Sequence, residues 1–244
     1  MGRLRGAFRR VLGVLLAPIR PLPDITAGEW LTTSWPTPML DYLAGRASER
    51  KLRLFACACC RRIWHLLRRP SGREAVEGTE RYADGCVAIS EWEAVRGAAH
   101  ETLLAHSWTE DDSAHRAAVA AASANAWEAA VHAAAGISLA VMQDRASSAQ
   151  EDAAQANLLR CVFGNPFRPV ALDPNRRTAT VLSLAQAAYD ERQLPAGTLD
   201  PQRLSVLADA LEETGADSAL VAHLRGEGPH VRGCWAVDLA LGRS

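Results

Sequence analysis

The chain is 244 residues long and 48% hydrophobic, which excludes an intrinsically disordered polymer and leaves enough apolar surface for a core without staples. Its 27 basic and 28 acidic side chains sum to a net charge of −1, which excludes bulk attraction to nucleic acid. Alanine fills 46 positions, and 26 of the basic residues are arginine with Lys51 the one lysine; both biases read as a GC-rich genome, and the alanine favours helix.

Residues 1–23 carry five arginines and no acid. On a helical wheel Leu4, Phe8, Val11, Leu12, Leu15 and Ile19 share one face, with Arg3, Arg5, Arg9 and Arg10 opposite, a basic amphipathic pattern. Three readings stay open for this leader: a segment outside the fold or not translated, a contact with an anionic membrane surface, and a signal segment. Against the signal stand the short apolar run Val11–Ala17 and the lack of a small-residue cleavage site. No stretch approaches the ~20 apolar residues of a membrane span.

From residue 26 onward the sequence punctuates itself as helices. Thr26-x-x-Glu29, Ser71-x-x-Glu74, Ser90-x-x-Glu93 and Ser148-x-x-Glu151 fit the capping box, in which side chains satisfy the orphan N–H groups of a helix start. Thr37-Pro38 and Asp200-Pro201 place a cap before a first-turn proline, and Gly164, Gly215, Gly226 and Gly242 supply stops. The spacing predicts helices over 27–33, 38–44, 48–69, 72–84, 90–107, 112–143 (with a break at Gly136), 148–163, 178–193, 201–214, 217–225 and 230–241. Alternating β-branched runs are absent, so the expected class is all-α: an Ala-rich multi-helix bundle or helical array at 24–163, an irregular connector at 164–177, and a small C-terminal helical cluster at 178–244 packed on the bundle.

Charge is segregated. Residues 46–73 hold nine basic residues and one acid, and residues 74–112 hold ten acids and two basic residues. Blocks of +8 and −8 in sequence are expected to face one another; an acidic partner protein or nucleic acid for the basic helix 46–73 is the lesser reading, since no base-reading motif accompanies the arginines.

Six cysteines at 57, 59, 60, 86, 161 and 234 form no disulfide framework, and reduced thiols in a cytoplasmic setting are expected. On the helix Arg50–Arg69 the wheel puts Cys59 at the centre of the apolar arc and Cys57 outside it, beside Arg53, Arg61 and Trp64. Guanidinium charge there favours a thiolate, so Cys57 is the cysteine expected to react. Cys57-x-x-Cys60 lacks the βαβ setting of a redox motif and the second half of a zinc motif. The edge formed by Arg53, Cys57, Arg61 and Trp64 has the composition of a protein-binding hot spot.

Helical metal motifs fail on spacing. His100-Glu101-x₄-His106 places its histidines on different faces, and Glu227-x-x-His230 is interrupted by Gly228-Pro229. Asn125, Glu128 and His132 read as a solvated stripe. In the last predicted helix His230, Cys234 and Asp238 recur at i, i+4 and i+8, the ingredients of an activated thiol, but Cys234 then lies between the other two and Asp238 cannot orient the imidazole. The favoured reading is structural, a helix start with His230 as its cap and Asp238 paired to an arginine. A further alternative is a metal pair, His230 and Cys234, completed by His223 or Cys161. The expectation for the chain is accordingly no metal ligand and no cofactor.

Several stretches together resemble a family of planctomycete proteins of unassigned function, expanded in Gemmata-like genomes. They are Glu29-Trp30-Leu31, Pro36–Leu40, Arg50–Trp64, Gly164-Asn165-Pro166-Phe167-Arg168-Pro169-Val170, Leu207–Glu213 and Gly228-Pro229-His230-Val231-Arg232-Gly233-Cys234-Trp235. The similarity spans about Glu29 to Arg243 and implies no catalytic residue, cofactor or substrate. It also implies that the leader stands outside the shared region.

The function these features favour is a non-catalytic helical module that binds an unidentified protein partner through Arg53, Cys57, Arg61 and Trp64. The alternative is a metal-binding or thiol-dependent enzyme using His230 and Cys234, and a third is weak anion or nucleic-acid binding by residues 46–73.

Overall fold

The computed structural model describes residues 25–106, 112–143 and 147–243; the basic leader at 1–23 lies outside them. The expected all-α class holds, with twelve α-helices and no strand among the described residues. None of those helices is long and apolar enough to cross a membrane.

Helix α1 (Ala27–Thr32) starts as its sequence says: Thr26 Oγ1 accepts from the Glu29 N–H, and the Glu29 carboxylate accepts from the Thr26 N–H, closing the capping box. Helix α2 (Pro36–Leu43) starts two residues before the expected site, with Trp35 at the N-cap and proline in the first turn. Helix α3 (Glu49–Arg62) is capped by Ser48 and is the axis of the molecule: every side chain from Lys51 to Arg61 is buried. It ends earlier than the wheel suggests, because Ile63 leaves helical backbone and a short 3₁₀ turn (Trp64–Leu66) leads to Pro70. Helix α4 (Pro70–Ala83) then starts on that proline rather than on a Ser71 cap, and the Ser71 hydroxyl has no partner.

Helix α5 (Ile89–His106) follows. The expected 112–143 helix is two helices, α6 (Ser113–Ala121) and α7 (Ala126–Gln143). The break falls at 122–125, where Asn125 Oδ1 accepts from the Trp127 and Glu128 N–H groups, and not at Gly136. Gly136 serves packing instead: a Cβ there would lie 3.1 Å from Ala117 Cβ, so glycine and alanine let α6 and α7 close on one another. Asn125, Glu128 and His132 are exposed, as a solvated stripe requires.

Helix α8 (Ser148–Phe163) takes Ser147, not Ser148, as its cap. After the irregular 164–178 segment come α9 (Ala179–Asp190), α10 (Pro201–Glu213, capped by Asp200 as expected), α11 (Ser218–Arg225) and α12 (Trp235–Leu241). Helix α3 is covered by α4, α6, α7 and α8, while α9 packs on α10 and α12, and α10 on α11. One apolar cluster runs through both parts, from Ile25 and Trp30 through Cys59 and Leu159 to Leu204, Val237 and Ala240. The connector therefore separates segments of chain, not cores.

The opposed charge blocks do meet. Arg61 forks onto Glu80 at 2.7 and 2.8 Å, Arg50 reaches Asp84 at 2.8 Å, and Arg69 reaches Asp112 at 3.5 Å. The pairing is not exclusive, since Arg62 goes to Glu151 on α8 and Arg53 to the carbonyls of Ser123 and Ala124. Much of the basic segment is thereby paired internally, while Arg46, Arg62 and Arg68 remain exposed.

This pairing makes stability acid-sensitive. Burial raises the Glu80 carboxyl, but hydrogen bonds and charge from Arg61 and Arg192 pull it further down, to below the usual range; Asp84 is lowered in the same way by Arg232 and Arg50. A carboxyl lowered in the folded state contributes stability present above its unfolded pKa and lost as pH falls through the folded one. Glu80→Gln is expected to lower the melting temperature at pH 7, with the deficit narrowing from about pH 4.3 downward. A deficit independent of pH in thermal melts would contradict this.

Candidate metal centre

The predicted partner edge is not a surface. Helix α4 crosses it, leaving Arg53 3%, Cys57 0% and Arg61 4% exposed. Arg53 lies over the Trp92 ring at 4.7 Å and donates to two carbonyls, and Arg61 is held by Glu80 and by Pro195 O at 3.0 Å. Trp64 is half-buried beneath Arg61 and Arg73. The expected Cys57 thiolate is corrected too: burial, Glu80 and Cys60 push the thiol well up, more than Arg61 and Arg53 pull it down. Cys60 is likewise pushed up to about 12 by burial and Glu80. Wheel geometry counted guanidinium groups near the sulfur but not the carboxylate that neutralises them from the next helix.

The last helix is corrected in a more useful direction. It begins at Trp235, with Cys234 as N-cap, so His230, Cys234 and Asp238 form no helical stripe. His230 sits in the preceding loop, and three contacts fix that loop. Leu199 N–H donates to His230 O at 2.8 Å, Thr198 bridges to Val231, and the Cys234 N–H donates to Val231 O at 2.9 Å. Gly233 has φ +85°, and a Cβ there would lie 2.8 Å from Leu54 Cδ1, so only glycine brings the loop this close to α3. Asp238 turns away to Arg50 (2.7 Å) and Lys51 (2.5 Å), the arginine pairing expected of it.

The loop delivers His230 and Cys234 to Cys161, from the last turn of α8, and His223, from the last turn of α11. One donor atom from each lies within 4.8 Å of every other. His223 Nε2 is 3.3 Å from Cys234 Sγ, and His230 Nδ1 is 4.0 Å from it. Cys161, His230 and Cys234 are buried and His223 is half-buried, with its ring tilted against Trp235 at 4.9 Å. Donors around a tetrahedral zinc ion lie roughly 3.3–3.8 Å apart, so a small contraction closes this set on one ion.

Two further features suit a metal centre. His230 Nε2 lies 3.1 Å from Gly226 O, a carbonyl that can only accept, so this nitrogen carries a proton and Nδ1 is the atom that faces the cluster, open to an ion once its own proton is released. Burial would raise the Cys234 thiol, yet hydrogen bonds from Cys161, His223 and His230 bring it well below the ordinary value, which favours the thiolate that metals bind. Burial pulls the His230 imidazole down by disfavouring its charge, but the bond to Cys234 outweighs that and leaves its pKa raised. Cys161 moves well up, through burial and its bond to Cys234.

Of the two residues singled out as reactive at the C-terminal end, the structure brings both His230 and Cys234 into one cluster, and it adds both Cys161 and His223 where spacing offered them as alternatives. Their positions follow no zinc-finger spacing, so only tertiary contact assembles the four. Comparison with family models, with characterised proteins and with solved structures returns no match for the chain.

Proposed function

We propose that this chain is a non-catalytic helical module whose C-terminal part is fixed by one zinc-class ion held by Cys161, His223, His230 and Cys234. The convergence of two thiols and two imidazoles within 4.8 Å carries the reading. Two sulfur and two nitrogen donors are the preferred set of tetrahedral zinc, and no carboxylate dilutes it. Four protein ligands fill the tetrahedron and leave no open position for water or substrate, which favours a structural role. A thiol-dependent enzyme is disfavoured by the burial of the Cys234 side chain, 0% exposed. A reducing cytoplasm suits such a site, because both thiols stay available to metal. The module then acts by contact with a protein partner, through surfaces other than the Arg53–Trp64 edge.

Cobalt tests the assignment directly. Titrating reduced, chelator-stripped protein with Co²⁺ is expected to give a tetrahedral d–d absorption and a thiolate charge-transfer band that saturate at one ion per chain. Both bands should be lost in Cys161→Ser/Cys234→Ser. An absence of visible absorption in the unsubstituted chain would end the proposal.

A further inference from the structure

The donor set contains a chemical alternative to the metal. We infer that Cys161 and Cys234 form an oxidation-sensitive clasp: they either hold the ion together or close on each other as a disulfide that expels it. This rests on the metal reading above.

The geometry is specific to this pair. The two sulfurs belong to one set of atoms within 4.8 Å, while their chain positions lie on different elements, the end of α8 and the start of α12. A disulfide needs about 2.05 Å, so the sulfurs must approach further by rotation about their Cα–Cβ bonds. The remaining thiols are placed differently. Cys57, Cys59 and Cys60 share the enclosed helix α3, and Cys86 is exposed.

A cleft opens at the chain neighbours of both thiols. A cleft of about 410 Å³ is lined by Val162, which follows Cys161, by Trp235, which follows Cys234, and by Ala219, one turn before His223. Neither sulfur lines this cleft, so peroxide attack requires the Val162 or Trp235 side chain to give way.

The step balances with hydrogen peroxide as the named oxidant. Cys234 sulfur attacks one peroxide oxygen, the O–O bond breaks, and a sulfenic acid and one water result. Cys161 sulfur then attacks the Cys234 sulfur, the S–S bond forms, and the sulfenic oxygen leaves as a second water. The two ligating thiolates lose two electrons, one peroxide gains them, and two protons from solvent complete the two waters. Neutral disulfide sulfur is a poor ligand, which leaves two imidazoles and an open tetrahedron, so the ion departs.

The test uses full-length, zinc-loaded Cys86→Ser protein, so that no exposed thiol links chains. Hydrogen peroxide is added, released zinc is followed with a chromogenic chelator, and cysteines are mapped by peptide mass spectrometry. The expected result is zinc released mole for mole with a Cys161–Cys234 cross-linked peptide, and zinc taken up again after dithiothreitol. Zinc released with sulfinic acid and no cross-link would overturn the clasp, as would zinc retained in excess peroxide. Either outcome leaves the metal reading intact, whereas a chain that takes up no zinc before oxidant is added fails on the metal reading itself.

Discussion

Stripping the ion from the Cys161/His223/His230/Cys234 centre is expected to lower the melting temperature by roughly 8–16 °C. An ion present at about 1,000 times its dissociation constant stabilises the folded chain by about 4 kcal/mol through linkage. A chain of this size moves by roughly 2–4 °C per kcal/mol. The effect should be smaller than in a zinc finger, which has no other core, because here Leu204, Leu207, Leu220 and Val237 are buried independently of the ligands. It should also be local. Hydrogen exchange on stripped protein is expected to speed up in α11 and the 226–234 loop, with little change in α3 and α7. A melting temperature indifferent to chelator, with unchanged exchange in that loop, would remove the structural role assigned to the ion.

The second large effect is expected at Asp238. This carboxylate is 1% exposed and accepts from Arg50 at 2.7 and 3.0 Å as well as from Lys51 at 2.5 Å. It also sits in the first turn of α12, where a negative charge faces the helix dipole. Asp238→Ala removes the anion from between two enclosed cations, a change that typically costs about 3–5 kcal/mol. Arg50 retains Asp84 and the Tyr189 hydroxyl, so the larger share of the loss should fall on Lys51. The three ammonium protons of Lys51 meet three acceptors, Asp238, Val162 O at 3.1 Å and Gly233 O at 2.7 Å, a match that the flat guanidinium of arginine does not reproduce. Denaturant melts of Asp238→Ala, Lys51→Met and the double variant are expected to show the double losing less than the sum of the singles. Strict additivity would mean that the pair does not act as a pair.

The two sites are physically continuous, since the carbonyls that Lys51 holds belong to the residue after Cys161 and the residue before Cys234. Packing of α3 and positioning of the thiols are one arrangement. Variants at Lys51 should therefore weaken metal binding without touching a ligand.

What could be read in advance divides by range of interaction. The Thr26–Glu29 box, the Asp200 cap and the bounds of α8 were legible because each depends on neighbours within a turn. The α6–α7 break was misplaced because Gly136 looks like a local weakness, and its value lies in Ala117 across the helix pair. The wheel of α3 showed an apolar arc correctly, but it assigned the arginine face to solvent. Arg61 and Arg53 are buried there because Glu80 comes from another helix and the Ser123 and Ala124 carbonyls from the end of a third. At the C-terminus the composition of the centre was legible as His230, Cys234 and two candidates to complete it. Its geometry was not, because a helix assumed to begin at His230 begins at Trp235, held back by a backbone fitted against Leu54.

Lys51 has a practical consequence for labelling. It is the only lysine in the chain, and it is 9% exposed with all its donors engaged. The folded protein consequently presents no free lysine amine to acylating dyes, biotin esters or aldehyde fixatives. Any such reagent found on Lys51 has recorded an opening of the central helix, so this one side chain works as a built-in reporter of the fold.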